Sequence, residues 1–188
     1  RLVGSEMCIR DSKYAIEQLA NRHSFIDIDK VGIHGHSGGG FMSTAAMCQY
    51  PDFFKAAVSC AGNHDNTIYN RWWSETHHGV KEQISEKGDT TFVYKIATNP
   101  QIAKNLKGHL LLIHGDIDNN VHPGGTIRVV NALIKANKRF DMLILPGQRH
   151  SFGTMDEYFF WRMADHFSKY LMDDNTPRPV DIHEMNNN

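Results

Sequence analysis

From Ser12 onward the apolar positions fall at helical spacing, with Tyr14, Ile16, Leu19 and Ala20 on one stripe behind a serine suited to cap the first turn. This predicts a helix of about three turns. The pattern then shortens to Val31-Gly32-Ile33-His34, an apolar strand that runs directly into Gly35-His36-Ser37-Gly38-Gly39-Gly40. Phe41, Met42, Ala45, Ala46 and Gln49 resume a helical period that Pro51 ends. Residues 55–60, 110–114 and 142–145 are aliphatic runs without polar alternation, as in a parallel sheet covered on both faces. Ile127, Val130 and Ile134 mark one further helix face, and Phe160, Met163, Ala164, Phe167 and Leu171 a last amphipathic helix. Strands alternating with helices predict an α/β fold with a mostly parallel sheet and helices on both faces.

The ends of the chain do not share this order. Residues 1–10 show neither period, so residues 1–11 are read as a non-native or junction segment. Residues 173–188 hold two prolines and a closing asparagine run and read as a frayed tail, which leaves 12–172 as the folded unit. A formal net charge of -1 gives no electrostatic ground for a nucleic acid or an acidic membrane surface as partner. No run approaches the roughly 20 apolar residues of a membrane-spanning helix. Cys8, Cys48 and Cys60 form no metal-like pair and read as small buried hydrophobes without a disulfide role.

Candidate chemistry begins at the glycine turn. Gly35-His36-Ser37-Gly38-Gly39 fits G-x-S-x-G, in which glycines let a strained turn between strand and helix lift a serine hydroxyl clear of the sheet. By composition alone the pentapeptide occurs in roughly one chain of this size in twenty, so its position between a strand and a helix carries much of the weight. A helix that starts beside Ser37 aims the Gly38 N–H at a developing oxyanion and adds its dipole. The bland alternative is a bare glycine-rich connection or anion-binding turn.

A serine nucleophile needs a base and an orienting acid, in the chain order serine, acid, histidine for this type of turn. The 110–114 strand leads into His114-Gly115-Asp116-Ile117-Asp118-Asn119-Asn120-Val121-His122, and the 142–145 strand into Pro146-Gly147-Gln148-Arg149-His150-Ser151-Phe152. Loops at the carboxyl ends of parallel strands share one edge of the sheet, so both can converge on Ser37. Twelve histidines invite a metal reading, but no H-E-x-x-H or comparable spacing is present. His34, His36 and His114 read instead as hydrogen-bonded fold residues, and no cofactor is expected.

Taken together, G-H-S-G-G-G, H-G-D-x-D-N-N-V-H and P-G-x-x-H-S-F resemble the three catalytic motifs of the prolyl oligopeptidase family of serine peptidases, nearest its dipeptidyl peptidase IV-like branch. The resemblance runs from about residue 12 to 172. It implies the α/β-hydrolase fold, of which four strands are too few, so the N-terminal part of the sheet is expected to be missing. It also implies Ser37 as nucleophile, Asp118 rather than Asp116 as acid, His150 as base and Gly38 in the oxyanion hole. Tyr69 and Trp73 fall where the family places aromatic residues of its substrate pocket, four apart on one expected helix face, while Trp72 reads as packing. Val121 would close that pocket and Asn120 hold a substrate carbonyl.

Further implications are a peptide substrate cut after proline or a small residue, and an N-terminal propeller domain in the full-length protein. Oligomeric state is left open, a homodimer included, and so are exopeptidase against endopeptidase action and the compartment. Gly38 departs from the branch, which carries a tyrosine there, and the tyrosine that completes the oxyanion hole would precede this chain. The chain alone is therefore expected to be inactive. Two rivals stand beside the peptidase: an esterase or acyl transferase with the same triad, and a non-catalytic interaction module of hydrolase shape.

Overall fold

Strands whose side chains are apolar on both faces require helices on both sides, and the chain folds accordingly. In the computed structural model, which describes residues 4–176, the order is α1 (Gly4–Arg22), β1 (Val31–His36), α2 (Gly38–Gln49), β2 (Phe54–Cys60), α3 (Arg71–His78), β3 (Val80–Ile84), β4 (Thr90–Tyr94), α4 (Asn99–Ile102), β5 (His109–Gly115), α5 (Gly124–Lys135), β6 (Asp141–Leu145) and α6 (Asp156–Leu171). Four strands form a parallel sheet in the order β1-β2-β5-β6. Alternate residues divide the core. Ala57, Leu110 and Leu112 pack with Phe41, Val129 and Leu133 under α2 and α5, while Val58, Leu111 and Ile113 pack on the opposite face with Met163 and Phe167 of α6.

The central strands β2 and β5 are buried almost throughout, whereas β1 and β6, outermost among the described residues, are half exposed. Covering on both faces therefore holds for the central pair and only partly for the outer two. A separate antiparallel hairpin, β3–β4, adds two strands to the four expected. Its strands are short and largely exposed, and the Ser85–Asp89 turn closes through Ser85 N–H to Asp89 O at 2.8 Å. The first helix begins at Gly4, two turns before Ser12, because Ser5 and Ile9 are buried and Ile9 joins the main core. Residues 4–11, set apart on periodicity, are thus part of that helix. Of the expected frayed tail, residues 177–188 lie outside the described residues. Cys8 is exposed, unlike the expectation, while burial pushes the thiols of Cys48 and Cys60 up to about 12.

The segment that follows β2 is polar yet buried. His64 is completely enclosed, with its Nδ1 accepting from Asn99 Nδ2 at 2.8 Å. Burial, assisted by the neighbouring His114, lowers its pKa from 6.5 to about 3. The unfolded chain therefore takes up a proton near pH 6.5 that the folded chain refuses until about pH 3. Stability contributed by neutral His64 is present above pH 6.5 and lost as the pH falls through that window. One proton gives a slope of at most about 1.4 kcal/mol per pH unit. Urea midpoints measured between pH 7 and pH 4 are expected to fall more steeply for the native chain than for His64→Gln; equal slopes would show that His64 is not the titrating group.

Candidate active site

Ser37 is the residue between β1 and α2, and its backbone carries the strain that the glycine pattern predicts, at φ 58° and ψ -120°. Such a conformation costs about 1–3 kcal/mol in a non-glycine residue and persists only where the surroundings hold it. Here Cys60 O of the neighbouring strand accepts Ser37 N–H at 2.8 Å, and Ser37 O accepts Phe41 N–H at 3.1 Å. Ser37 occupies the N-cap position of α2, but its side chain makes no capping bond. Its hydroxyl and the first N–H groups of α2, beginning with that of Gly38, are thereby left at the positive end of the helix.

The glycines around it do different work. A Cβ on Gly35 would lie 2.4 Å from Gly39 O, and one on Gly40 would lie 2.4 Å from Cys60 O. Gly39, the last residue of the pentapeptide, would meet nothing within 4 Å. The sterically required pair is thus Gly35 and Gly40, one residue beyond the motif.

Asp118 and His150 meet. His150 Nδ1 lies 2.8 Å from Asp118 Oδ2, and Asp118 Oδ1 accepts the N–H groups of Asn120 and Val121 at 2.9 Å each. The Asp118 side chain is fully buried. Burial alone would raise its pKa, but the bonds from His150, Val121 and Asn120 outweigh that and hold it below the ordinary carboxylate value. Asp116 is exposed and accepts Gly147 N–H at 2.6 Å, clasping the loop that carries His150. This loop passes directly over β5, since a Cβ on Gly115 would lie 2.3 Å from Gln148 O. It returns to the serine side: the His150 ring packs edge-on to His36 at 4.8 Å between centroids, and buried Phe152 also packs on His36 at 5.1 Å. No hydrogen bond joins Ser37 Oγ to His150 among the described residues, although His36 abuts His150 beside it in sequence.

A family model described as the prolyl oligopeptidase family matches residues 5–174. The chain belongs to the prolyl oligopeptidase family. It is 32% identical over 164 residues to dipeptidyl peptidase 8 of Homo sapiens, covering 87% of this chain and 17% of that protein. Prolyl endopeptidase FAP of Mus musculus is 30% identical over 148 residues, covering 77% of this chain and 19% of its own length. Among solved structures, Porphyromonas gingivalis dipeptidyl peptidase 4 superposes with a TM-score of 0.73 at 27% identity, over 87% of this chain and 22% of its own. The chain thus has the α/β-hydrolase fold of these peptidases and spans about a fifth of their length.

Within this member of the prolyl oligopeptidase family the aromatic segment has its own local logic. Asn70 caps α3 by accepting Trp73 N–H at 3.0 Å, so Tyr69 sits just before the helix and not on its face as the spacing implied. The two rings still meet, edge to face at 5.6 Å. The Trp73 indole reaches to 3.1 Å from where a Gly38 Cβ would stand, so it occupies space that a side chain at position 38 would need. Trp72 is 75% exposed. Val121 is buried and shows its backbone to the site, whereas Asn120 is exposed. Of the histidines expected as hydrogen-bonded fold residues, His114 bonds to Thr126 and Val121, and His36 bonds to the His150 backbone beside its ring contact, while His34 is exposed and makes a ring contact instead. The parts that sequence reasoning missed are His36 as a packing partner of His150 and Phe152 packed in turn on His36, with Phe152 in a left-handed conformation at φ 53°. Among the described residues no helix is long and apolar enough to cross a membrane, and no cluster of three or more potential ligands forms a metal site.

Proposed function

We propose that the full-length protein is a serine peptidase that cleaves short peptides through an acyl-enzyme, with Ser37 as nucleophile, His150 as base and Asp118 as its orienting acid. The observation that carries this is the 2.8 Å bond from His150 Nδ1 to a buried carboxylate. It keeps the Nδ1 proton in place and leaves Nε2 unprotonated, ready to take the Ser37 proton as Oγ attacks the peptide carbonyl. The proton then passes from Nε2 to the leaving amine, and water repeats the sequence to release the acid. Asp118 remains charged throughout and stabilises the imidazolium. The Gly38 N–H supplies one oxyanion donor at the start of α2.

Tyr69 and Trp73 form the aromatic wall for the residue before the cut, favouring proline or another small side chain, with Val121 on the far side and Asn120 toward a substrate carbonyl. An N-terminal propeller domain in the full-length protein is in keeping with relatives of which this chain spans about a fifth. A fluorophosphonate probe applied to the full-length protein is expected to leave one covalent adduct on the peptide containing Ser37, and none in Ser37→Ala. Labelling that persists in Ser37→Ala, or no labelling of the native protein, would overturn the assignment.

A further inference from the structure

The chain of contacts does not stop at Asp118. Against the same carboxylate stands His114, the penultimate residue of β5, whose side chain is completely buried. Its Nε2 lies 2.8 Å from Val121 O and 3.2 Å from Asp118 Oδ2, and its Nδ1 lies 2.7 Å from Thr126 Oγ1. The carbonyl of Val121 can only accept, so Nε2 carries the ring proton. Nδ1 is then the acceptor of a proton from the Thr126 hydroxyl. Burial pulls the His114 pKa down, which keeps the ring neutral and this tautomer in place.

We propose that His114 is a positioning residue for the Asp118–His150 pair. It holds the 118–121 turn from beneath by gripping the Val121 carbonyl, and it presents its N–H edge to the same carboxylate oxygen that His150 uses. This rests on the triad assignment above. Val121 is the pivot. Its N–H donates to Asp118 Oδ1 while its carbonyl accepts from His114, so a shift of Val121 moves the acid directly. Thr126, at the start of α5 and itself buried, sets which His114 nitrogen bears the proton and so acts two bonds away from the acid. The fold alone needs a residue here of about this size; orientation of the acid needs a donor at the Nε2 position. Glutamine can place an amide N–H there, and phenylalanine cannot.

The test uses the full-length protein with a peptide substrate and, as control, Ser37→Ala. For His114→Phe we expect kcat to fall about tenfold to a hundredfold, the order of loss when an outer-shell partner that orients a metal ligand is removed, with KM changed less than about twofold. His114→Gln is expected to recover most of that loss. The low-field proton resonance of the His150–Asp118 hydrogen bond should shift or broaden in His114→Phe and persist in His114→Gln. Thr126→Val, which keeps volume and touches neither acid nor substrate, should lower kcat in the same direction and serves if His114→Phe does not fold. An unshifted resonance with kcat within twofold of native in His114→Phe, or in Thr126→Val where the former is unfolded, would overturn the proposal. If Ser37→Ala retains turnover, it is the triad assignment that fails.

Discussion

Asp118→Asn in the full-length protein is expected to lower kcat by about ten-thousandfold with little loss of stability. Two backbone N–H groups, from Asn120 and Val121, converge on Oδ1 and dictate how an asparagine must sit. Its carbonyl oxygen takes the Oδ1 place, because an amide NH2 there would face two donors. The NH2 then occupies the Oδ2 place, pointing at His150 Nδ1 and toward His114 Nε2. His150 must now accept at Nδ1, its proton moves to Nε2, and the nitrogen meant to receive the Ser37 proton is already protonated. The turn itself keeps both of its backbone bonds, so urea unfolding should change by much less than the rate does. A kcat within about tenfold of native, roughly 1.4 kcal/mol in barrier, would mean that Asp118 does not set the tautomer of the base.

A comparably large effect, this time on folding, is expected at Gly40. A methyl group there would stand 2.4 Å from Cys60 O and 3.0 Å from the Cα of Gly62. Neither neighbour is the flexible end of a side chain, so β2 and α2 must separate. Cys60 O also accepts the Ser37 N–H, so the strained turn would lose its anchor with them. Gly40→Ala is expected to cost about 3 kcal/mol, read as a lowered urea midpoint, and to abolish fluorophosphonate labelling. Gly39→Ala makes the contrast. It meets nothing within 4 Å and lies in the first turn of α2, where alanine is the better helix former by up to about 1 kcal/mol, so its stability should be unchanged or higher. Equal losses at both positions would show that composition of the motif, not close approach of β2, makes the glycines necessary.

Those two glycines also show how far sequence carries. The strand-turn-helix order around Ser37, the four parallel strands, and the placement of Asp118 and His150 at the carboxyl edge were all legible, because apolar runs and glycine punctuation report local backbone directly. Which glycine matters was not, since the obstacle at Gly40 is a carbonyl twenty residues away on another strand. The β3–β4 hairpin was missed because its ladder lies mostly in water, where no apolar period is demanded. The helical start at Gly4 was missed for the converse reason: one buried isoleucine, Ile9, is too sparse a signal over two turns. His114 read as a fold residue because its partners, Val121 and Thr126, come together only once β5 and α5 pack.

The loop that carries His150 and the hairpin define opposite tolerances to change in length. Between Leu145 and His150 the chain must cross β5 at Gly115 with no room for even a methyl group, be clasped at Gly147 by Asp116, and still deliver an imidazole beside His36. One residue more or fewer there would rotate His150 off its partner. The turn at 85–89 is fully exposed and bears on none of these contacts. Insertions, tags or grafted recognition loops should therefore be accepted at the hairpin tip and refused after β6, and homologues that differ in length within this region would be expected to differ at the tip.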